Sequence, residues 1–153
     1  MNNQDHIDSL NPQRKQLFIQ FINELESLDW YVLITQSYRS IAFQNGLHNI
    51  DKRNSIGGYS SHNYGFAIDL NLQKGSLKLK KATDKQIWID SGVVEIAKKY
   101  GLRWGGEFEG YYDPIHFDCV QPTYTRKWLA YLKKTYRNDY INFEANKTNW
   151  KFY

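Results

Sequence analysis

The chain of 153 residues is poor in cysteine, proline and methionine, with one, three and one respectively. A single Cys119 excludes an intramolecular disulfide framework and any zinc site built from several thiolates. No apolar run approaches the ~20 residues that a membrane-spanning helix needs. The first residues, Met1-Asn2-Asn3-Gln4-Asp5-His6, lack a basic stretch followed by an apolar one, so no signal peptide is expected. The chain is therefore expected to be made in the cytoplasm, with any work outside the cell needing another exit. Charge of one sign is scarce too: 20 Lys and Arg against 16 Asp and Glu leave a net +4. That balance tolerates an anionic partner without selecting one, and no basic helix or aromatic-basic motif points to nucleic acid.

What is present is enough for a core. Apolar residues at 41% and aromatics at 16% exclude global disorder, and the length suits one domain rather than two. We expect a single domain over residues 1–153 with a core of about 11–136. The aromatic and basic tail, Arg137 to Tyr153, should fold back on it, because so many aromatics would otherwise be exposed. Cys119, in the run Ile115-His116-Phe117-Asp118-Cys119-Val120, reads as a small buried hydrophobe.

Hydrophobic spacing divides the chain into short elements. Asn11-Pro12 reads as the start of a helix whose apolar stripe runs Leu17, Phe18, Phe21, Ile22, Leu25 and Leu28. Trp30 to Thr35 is aromatic and β-branched, a strand. Ser40 to about Asn49 reads as a second helix, and Asp51 to Tyr64 as a glycine-bearing loop. Ala67 to Leu72 alternates apolar with polar, the pattern of a half-buried strand. Gln73 to Lys81 reads as a solvated turn or hairpin carrying the lysines Lys74, Lys78, Lys80 and Lys81. Ser91 to Tyr100 should be a helix closed by Gly101. Arg103-Trp104 should end a strand at the Gly105-Gly106 turn. Ile115 to Val120 should be another strand, with Ile115, Phe117 and Cys119 on one face and His116 and Asp118 on the other. Pro122-Thr123 opens a last helix that uses Trp128, Leu129 and Leu132. The gaps are too short for βαβ crossovers, so the expected class is α+β with a small antiparallel sheet and flanking helices.

Four histidines can be weighed one by one. His6 lies in a terminus expected to fray, and a late helical position explains His48. His62 and His116 have more informative neighbours. Seven residues after His62, past Gly65, Asp69 falls on the polar side of its strand, where an unpaired buried charge is costly. His116 also lies on the polar side of a strand, with Asp113 three residues earlier across Pro114. Two imidazoles and a carboxylate fill three positions of a tetrahedral zinc and leave the fourth for water. Asp113 would then be a natural general base. The spacing alone leaves the plainer alternative open, in which these are satisfied histidines and turn or ion-pair carboxylates.

At these residues the sequence resembles a known family. Ser60-Ser61-His62-Asn63-Tyr64-Gly65-Phe66-Ala67-Ile68-Asp69 matches the SxHxxGxAxD motif of the zinc D-alanyl-D-alanine carboxypeptidases and L-alanyl-D-glutamate endopeptidases. Asp113-Pro114-Ile115-His116 is similar to its second motif, and Tyr38-Arg39-Ser40 with Gln44 to its YRSxxxQ element. The resemblance implies a Hedgehog/D-Ala-D-Ala peptidase-like fold. It implies one zinc ion held by His62, Asp69 and His116, with Asp113 as the base. It implies that Arg39 binds a substrate carboxylate or steadies the oxyanion. Ser60 would orient a ligand strand, and Gln44 would support the site or face substrate. Trp104 would line the cleft unless it is core. Asp in place of the carboxypeptidases' usual Glu, with the Trp-Gly-Gly element before it, is more similar to the endopeptidases. The implied function is hydrolysis of the peptidoglycan stem peptide at the L-alanyl-D-glutamate bond. With no signal peptide expected, a phage or prophage endolysin released through a membrane pore is the expected setting, and a monomer the expected state. The rival readings are a D,D- or L,D-carboxypeptidase and a non-catalytic domain that binds wall peptide.

Overall fold

A computed structural model describes residues 1–120 and 124–149. Its centre is an antiparallel sheet: β1 (Tyr31–Gln36), β2 (Ala67–Lys74), β3 (Leu77–Leu79), β4 (Arg103–Trp104) and β5 (His116–Asp118). The order is β1-β2-β5-β4, with β3 paired to the far end of β2. Helices α1 (Asn3–Ser9), α2 (Lys15–Ser27), α4 (Lys85–Asp90) and α5 (Val93–Lys99) supply apolar residues to the main core, and α3 (Ile41–Ile50) follows β1. The expected α+β class and small antiparallel sheet are thus observed. No helix among the described residues is long and apolar enough to cross a membrane.

Strand alternation decides what each face carries. Val32 and Ile34 of β1, Ile68, Leu70 and Leu72 of β2, and Phe117 of β5 enter the main core with Phe18, Phe21 and Leu25 of α2. Phe117 is fully buried, with ring centroids 5.2 Å from Phe21 and 6.1 Å from Trp88. Truncating a ring so placed costs ~3–5 kcal/mol. The same packing fixes the register of β5, where Asp69 faces His116 and Ala67 faces Asp118 across the ladder. The residues between the core positions therefore form polar rows on the other face: Asp69 and His116 in one, joined by Gln36 through a register shift after Ile34, and Arg103 and Asp118 in the next.

A second, smaller core joins Ile41, Tyr64, Phe66, Val120, Trp128, Leu132 and Phe143. It brings in α6 (Tyr124–Tyr131), a π-helical stretch over Leu132–Tyr136, and α7 (Tyr140–Ala145). From α7, the Glu144 carboxylate accepts the Ile41 backbone N–H at 2.7 Å. Lys147 donates to the Ser9 carbonyl at 2.5 Å and lies over the Tyr38 ring.

Several local expectations need correction. The N-terminus is not frayed: Asn2 and Asp5 form a capping box on α1, and His6 is buried against Ser37, its Nδ1 2.7 Å from the Ser37 hydroxyl. The Asn3 carboxamide bonds both Val32 O and Ile34 N of the edge strand β1. Helix α2 begins at Lys15 rather than at Pro12, because Asn11 is committed elsewhere. Its N–H bonds Gly65 O, and its carbonyl holds the turn through Arg14 and Lys15. Between β3 and α5 the chain forms α4 around buried Trp88, and α5 starts only after Gly92. Cys119 is half-buried between the two cores, where burial pushes its thiol up to about 12. The start expected for the last helix at Pro122-Thr123 lies outside the described residues, as do the final four residues of the tail.

Candidate metal centre

His62 sits in a single 3-10 turn, Ser61–Tyr64, that ends at Gly65 in the left-handed region, φ 70°. A side chain at Gly65 would be strained there, and its Cβ would meet the Asn11 backbone nitrogen at 2.5 Å. That turn delivers the chain into β2, where Asp69 faces His116 of β5.

Three potential ligand atoms converge. His62 Nε2 is 3.1 Å from Asp69 Oδ1 and 3.2 Å from His116 Nδ1, and His116 Nδ1 is 3.0 Å from Asp69 Oδ1. Neighbouring groups fix which nitrogens carry protons. A carbonyl only accepts, so at 2.6 Å from Ser37 O the His62 Nδ1 must be the N–H, leaving the lone pair on Nε2. Asp118 Oδ2 lies 2.9 Å from His116 Nε2. Asp118 is ionised: burial opposes its charge, but bonds from His116 and Arg103 hold it down to about 2. It therefore accepts from Nε2–H, and the His116 lone pair sits on Nδ1.

Two imidazole lone pairs and a carboxylate oxygen thus face one another with no donor between them. Such a cluster needs a cation or a bound proton. Ligand atoms around a tetrahedral ion with ~2.0–2.1 Å bonds lie ~3.3–3.4 Å apart, close to the spacing here. The N, N, O set suits zinc and leaves a fourth position open. Without an ion, a proton takes the place on His116. Burial alone would lower its pKa, but the bonds to Asp118 and Asp69 push it up to about 10. Burial lowers that of His62, and Asp69 is held well below the usual carboxylate range by the imidazoles despite its burial.

The remaining expected site residues divide. Asp113 lies in the turn before His116, and its backbone is tied at both ends: Asp113 N donates to Gly105 O and His116 N to Asp113 O. Its carboxyl lines the same cleft, with Oδ1 buried and unpartnered, and burial next to Asp69 raises its pKa. Arg39 does not offer a free fork to substrate. Its Nη2 donates to Asp69 Oδ2 at 3.0 Å and its Nη1 to Gln44 Oε1 at 3.0 Å. Gln44, buried, anchors the pair by donating to Ser55 O. Ser60 is on the cleft wall, and the hydroxyl of its neighbour Ser61 lies 3.4 Å from His116 Nε2. Trp104 does not line the cleft. It is buried in the main core, and its indole N–H bonds Pro114 O behind the Asp113 turn.

Sequence reasoning missed Asp118, Arg103, Ser37 and Gly105. Asp118 shares a strand face with His116, a signal that period-2 spacing already gave. Arg103 grips it bidentately, at 2.7 and 2.8 Å. Gly105 admits the Asp113 turn: a Cβ there would meet Asp113 O at 2.2 Å and His116 Cβ at 2.9 Å. The cleft around the site is about 650 Å³, and its walls include Phe43, Tyr59, Lys81, Phe108 and Tyr111.

Residues 53–119, which hold His62, Asp69, Asp113, His116 and Asp118, match a family described as D-alanyl-D-alanine carboxypeptidase. The matched stretch carries all three candidate ligands but is under half of the chain. The chain is also similar to the peptidoglycan L-alanyl-D-glutamate endopeptidase CwlK of Bacillus subtilis, 38% identical over 103 residues. That alignment covers 58% of this chain and 60% of CwlK, so the chain spans under two thirds of its relative's length. The fold is that of the Serratia marcescens L-Ala D-Glu endopeptidase ChiX, with a TM-score of 0.57 at 18% identity over 80% of this chain and 89% of the other. The vancomycin resistance D,D-pentapeptidase VanY, solved with Zn(II), matches with a TM-score of 0.52 at 15% identity over 79% and 78%.

Proposed function

We propose that this protein is a zinc-dependent peptidase of the peptidoglycan stem peptide, cutting the L-alanyl-D-glutamate bond. The observation that carries the reading is the triangle of lone pairs from His62, Asp69 and His116, each with its orientation fixed from behind. The bond preference is supported by the identity to CwlK, itself named for that bond.

Zinc held at the triangle would polarise the scissile carbonyl and bring the pKa of a bound water to ~7. The residues of the chain supply the rest. Asp113 accepts the proton of the attacking water as its oxygen joins the carbonyl carbon, then returns that proton to the departing amine as the C–N bond breaks. Burial beside Asp69 raises its pKa, which makes it a stronger proton acceptor than an exposed carboxylate. Asp118 and the Ser37 carbonyl hold the two imidazoles in place, as outer partners of metal ligands do. Arg39 and Gln44 hold the second oxygen of Asp69 away from the triangle.

The reading extends to a bacteriolytic role of the endolysin type, with which a net +4 is compatible. Clearing of a suspension of bacterial cells tests that part alone. The bond itself is tested by mass spectrometry of fragments released from purified peptidoglycan, with and without a zinc chelator. Chelator-sensitive release of peptides beginning at D-Glu, with L-Ala left on the glycan, is expected. The family's description favours one other outcome, release of terminal D-Ala alone, which would make the protein a carboxypeptidase with the same site.

A further inference from the structure

The lysines of the Gln73–Lys81 stretch look interchangeable in sequence, but one of them lines the metal cleft. Lys81 follows β3 on a turn pinned from several sides. Thr83 exchanges hydrogen bonds with the Lys80 backbone: Lys80 N donates to its hydroxyl and its own N–H to Lys80 O. The Trp88 indole also donates to Lys80 O, and the Tyr112 hydroxyl donates to Thr83 O. The Lys81 ammonium leaves that turn towards Tyr111, 3.4 Å from its hydroxyl and 5.9 Å from its ring centroid.

Four cations line the cleft: Arg39, Arg53, Lys81 and Arg103. Three are spoken for, Arg39 by Asp69, Arg53 by Asp51 and Arg103 by Asp118. Among the described residues, none offers Lys81 a carboxylate within ion-pair distance. Burial opposes its charge, yet Asp113, the Tyr111 hydroxyl and Asp69 reverse that, so it enters the cleft as an ammonium. The acid-lined site would otherwise repel an anion, and Lys81 is the cation left to receive one.

A glutamyl residue whose amine is in the scissile bond has two carboxyls. The peptide continues from one of them, so the other is free and lies within a few bonds of the reacting carbonyl. We propose that Lys81 is a specificity residue that pairs with this free carboxylate on the leaving side of the bond. The inference rests on the stem-peptide reading above and deepens it, replacing Arg39 as the group that reads substrate charge.

The test uses the zinc-loaded full chain and two synthetic stem peptides, identical except that the free D-glutamyl carboxylate of one is a carboxamide. Wild-type protein should favour the carboxylate peptide by about tenfold or more in kcat/KM, the scale of one charge-assisted bond. K81M should lose that preference mainly through KM, and K81R should recover much of it. A thermal melt and a zinc titration of K81M check that fold and metal are intact. A K81M protein that keeps the preference, or loses equally on both peptides, overturns the role of Lys81 while leaving the reaction standing. If zinc-loaded wild-type protein cuts neither peptide, the reading of the reaction is wrong and this proposal falls with it.

Discussion

The His62 imidazole donates its Nδ1 proton to the carbonyl oxygen of Ser37 over 2.6 Å, and the Ser37 hydroxyl in turn bonds His6 at 2.7 Å and Ser9 at 2.8 Å. The first helix is therefore not an appendage. It props the segment that fixes one imidazole tautomer, and with it the nitrogen that faces the metal position.

Asp113 and His116 lie three residues apart, and substitution should separate their roles. His116→Ala removes a ligand nitrogen and should abolish both zinc retention and turnover. Asp113→Asn leaves the triangle whole, so zinc should remain while kcat falls ~10²–10⁴-fold, the usual scale for general acid–base help. Metal content by elemental analysis beside hydrolysis rates decides it, and full activity of Asp113→Asn would remove the base assignment.

Asp118 should matter for affinity rather than for the reaction directly. Asp118→Asn replaces an ionised acceptor of His116 Nε2–H and strips Arg103 of its partner. Loss of such an outer carboxylate costs ~10–100-fold in metal affinity. Competition against a chromogenic chelator measures this, and unchanged affinity would show that His116 is held by packing alone.

Gly105→Ala puts a Cβ 2.2 Å from Asp113 O and 2.9 Å from His116 Cβ, where the nearer obstacle is backbone. The Asp113 turn must move, so we expect a lower Tm and loss of most activity with the metal ligands unaltered. Retention of wild-type rates would mean that the turn is not required in its present position.

Zinc and a proton compete for His116, which sets a pH signature. In the metal-free protein its pKa is pushed up to about 10, against ~6.5 for a free imidazole. A raised pKa stabilises the fold fully below ~6.5, and the contribution is lost as pH rises through about 10. Asp118, held at about 2, has the opposite sign: its contribution is present above ~3.9 and is lost as pH falls through about 2. The metal-free Tm should therefore decline from pH 7 to 10. Zinc binding near pH 8 should release about one proton, since the ligand must be bare to bind. Calorimetry in buffers of different ionisation enthalpy counts it, and a count of zero would contradict the protonated His116.

Much of this site could be read from sequence because a strand alternates strictly. With Ala67–Leu72 and the stretch around His116–Asp118 as strands, Asp69, His116 and Asp118 must leave the core face, and glycine at position 65 marks the turn that carries His62. What could not be read depends on contacts between distant segments. A backbone carbonyl such as Ser37 O has no residue signature. Helix α1, seven residues long, is held by Asn3 and His6 rather than by its own periodicity. Arg39 belongs to a motif, yet only the fold reveals that Asp69 and Gln44 already occupy its fork. Lys81 differs from Lys74, Lys78 and Lys80 only in the direction that its turn imposes.

The carboxamide of Asn3 stands beside β1 as a neighbouring strand would, giving a hydrogen to Val32 O and taking one from Ile34 N. β1 is an edge strand of the sheet, and an open edge is a template for another copy of the same chain. One side chain thus withdraws a donor and an acceptor from edge-to-edge association, protecting the middle of that margin without a covering layer.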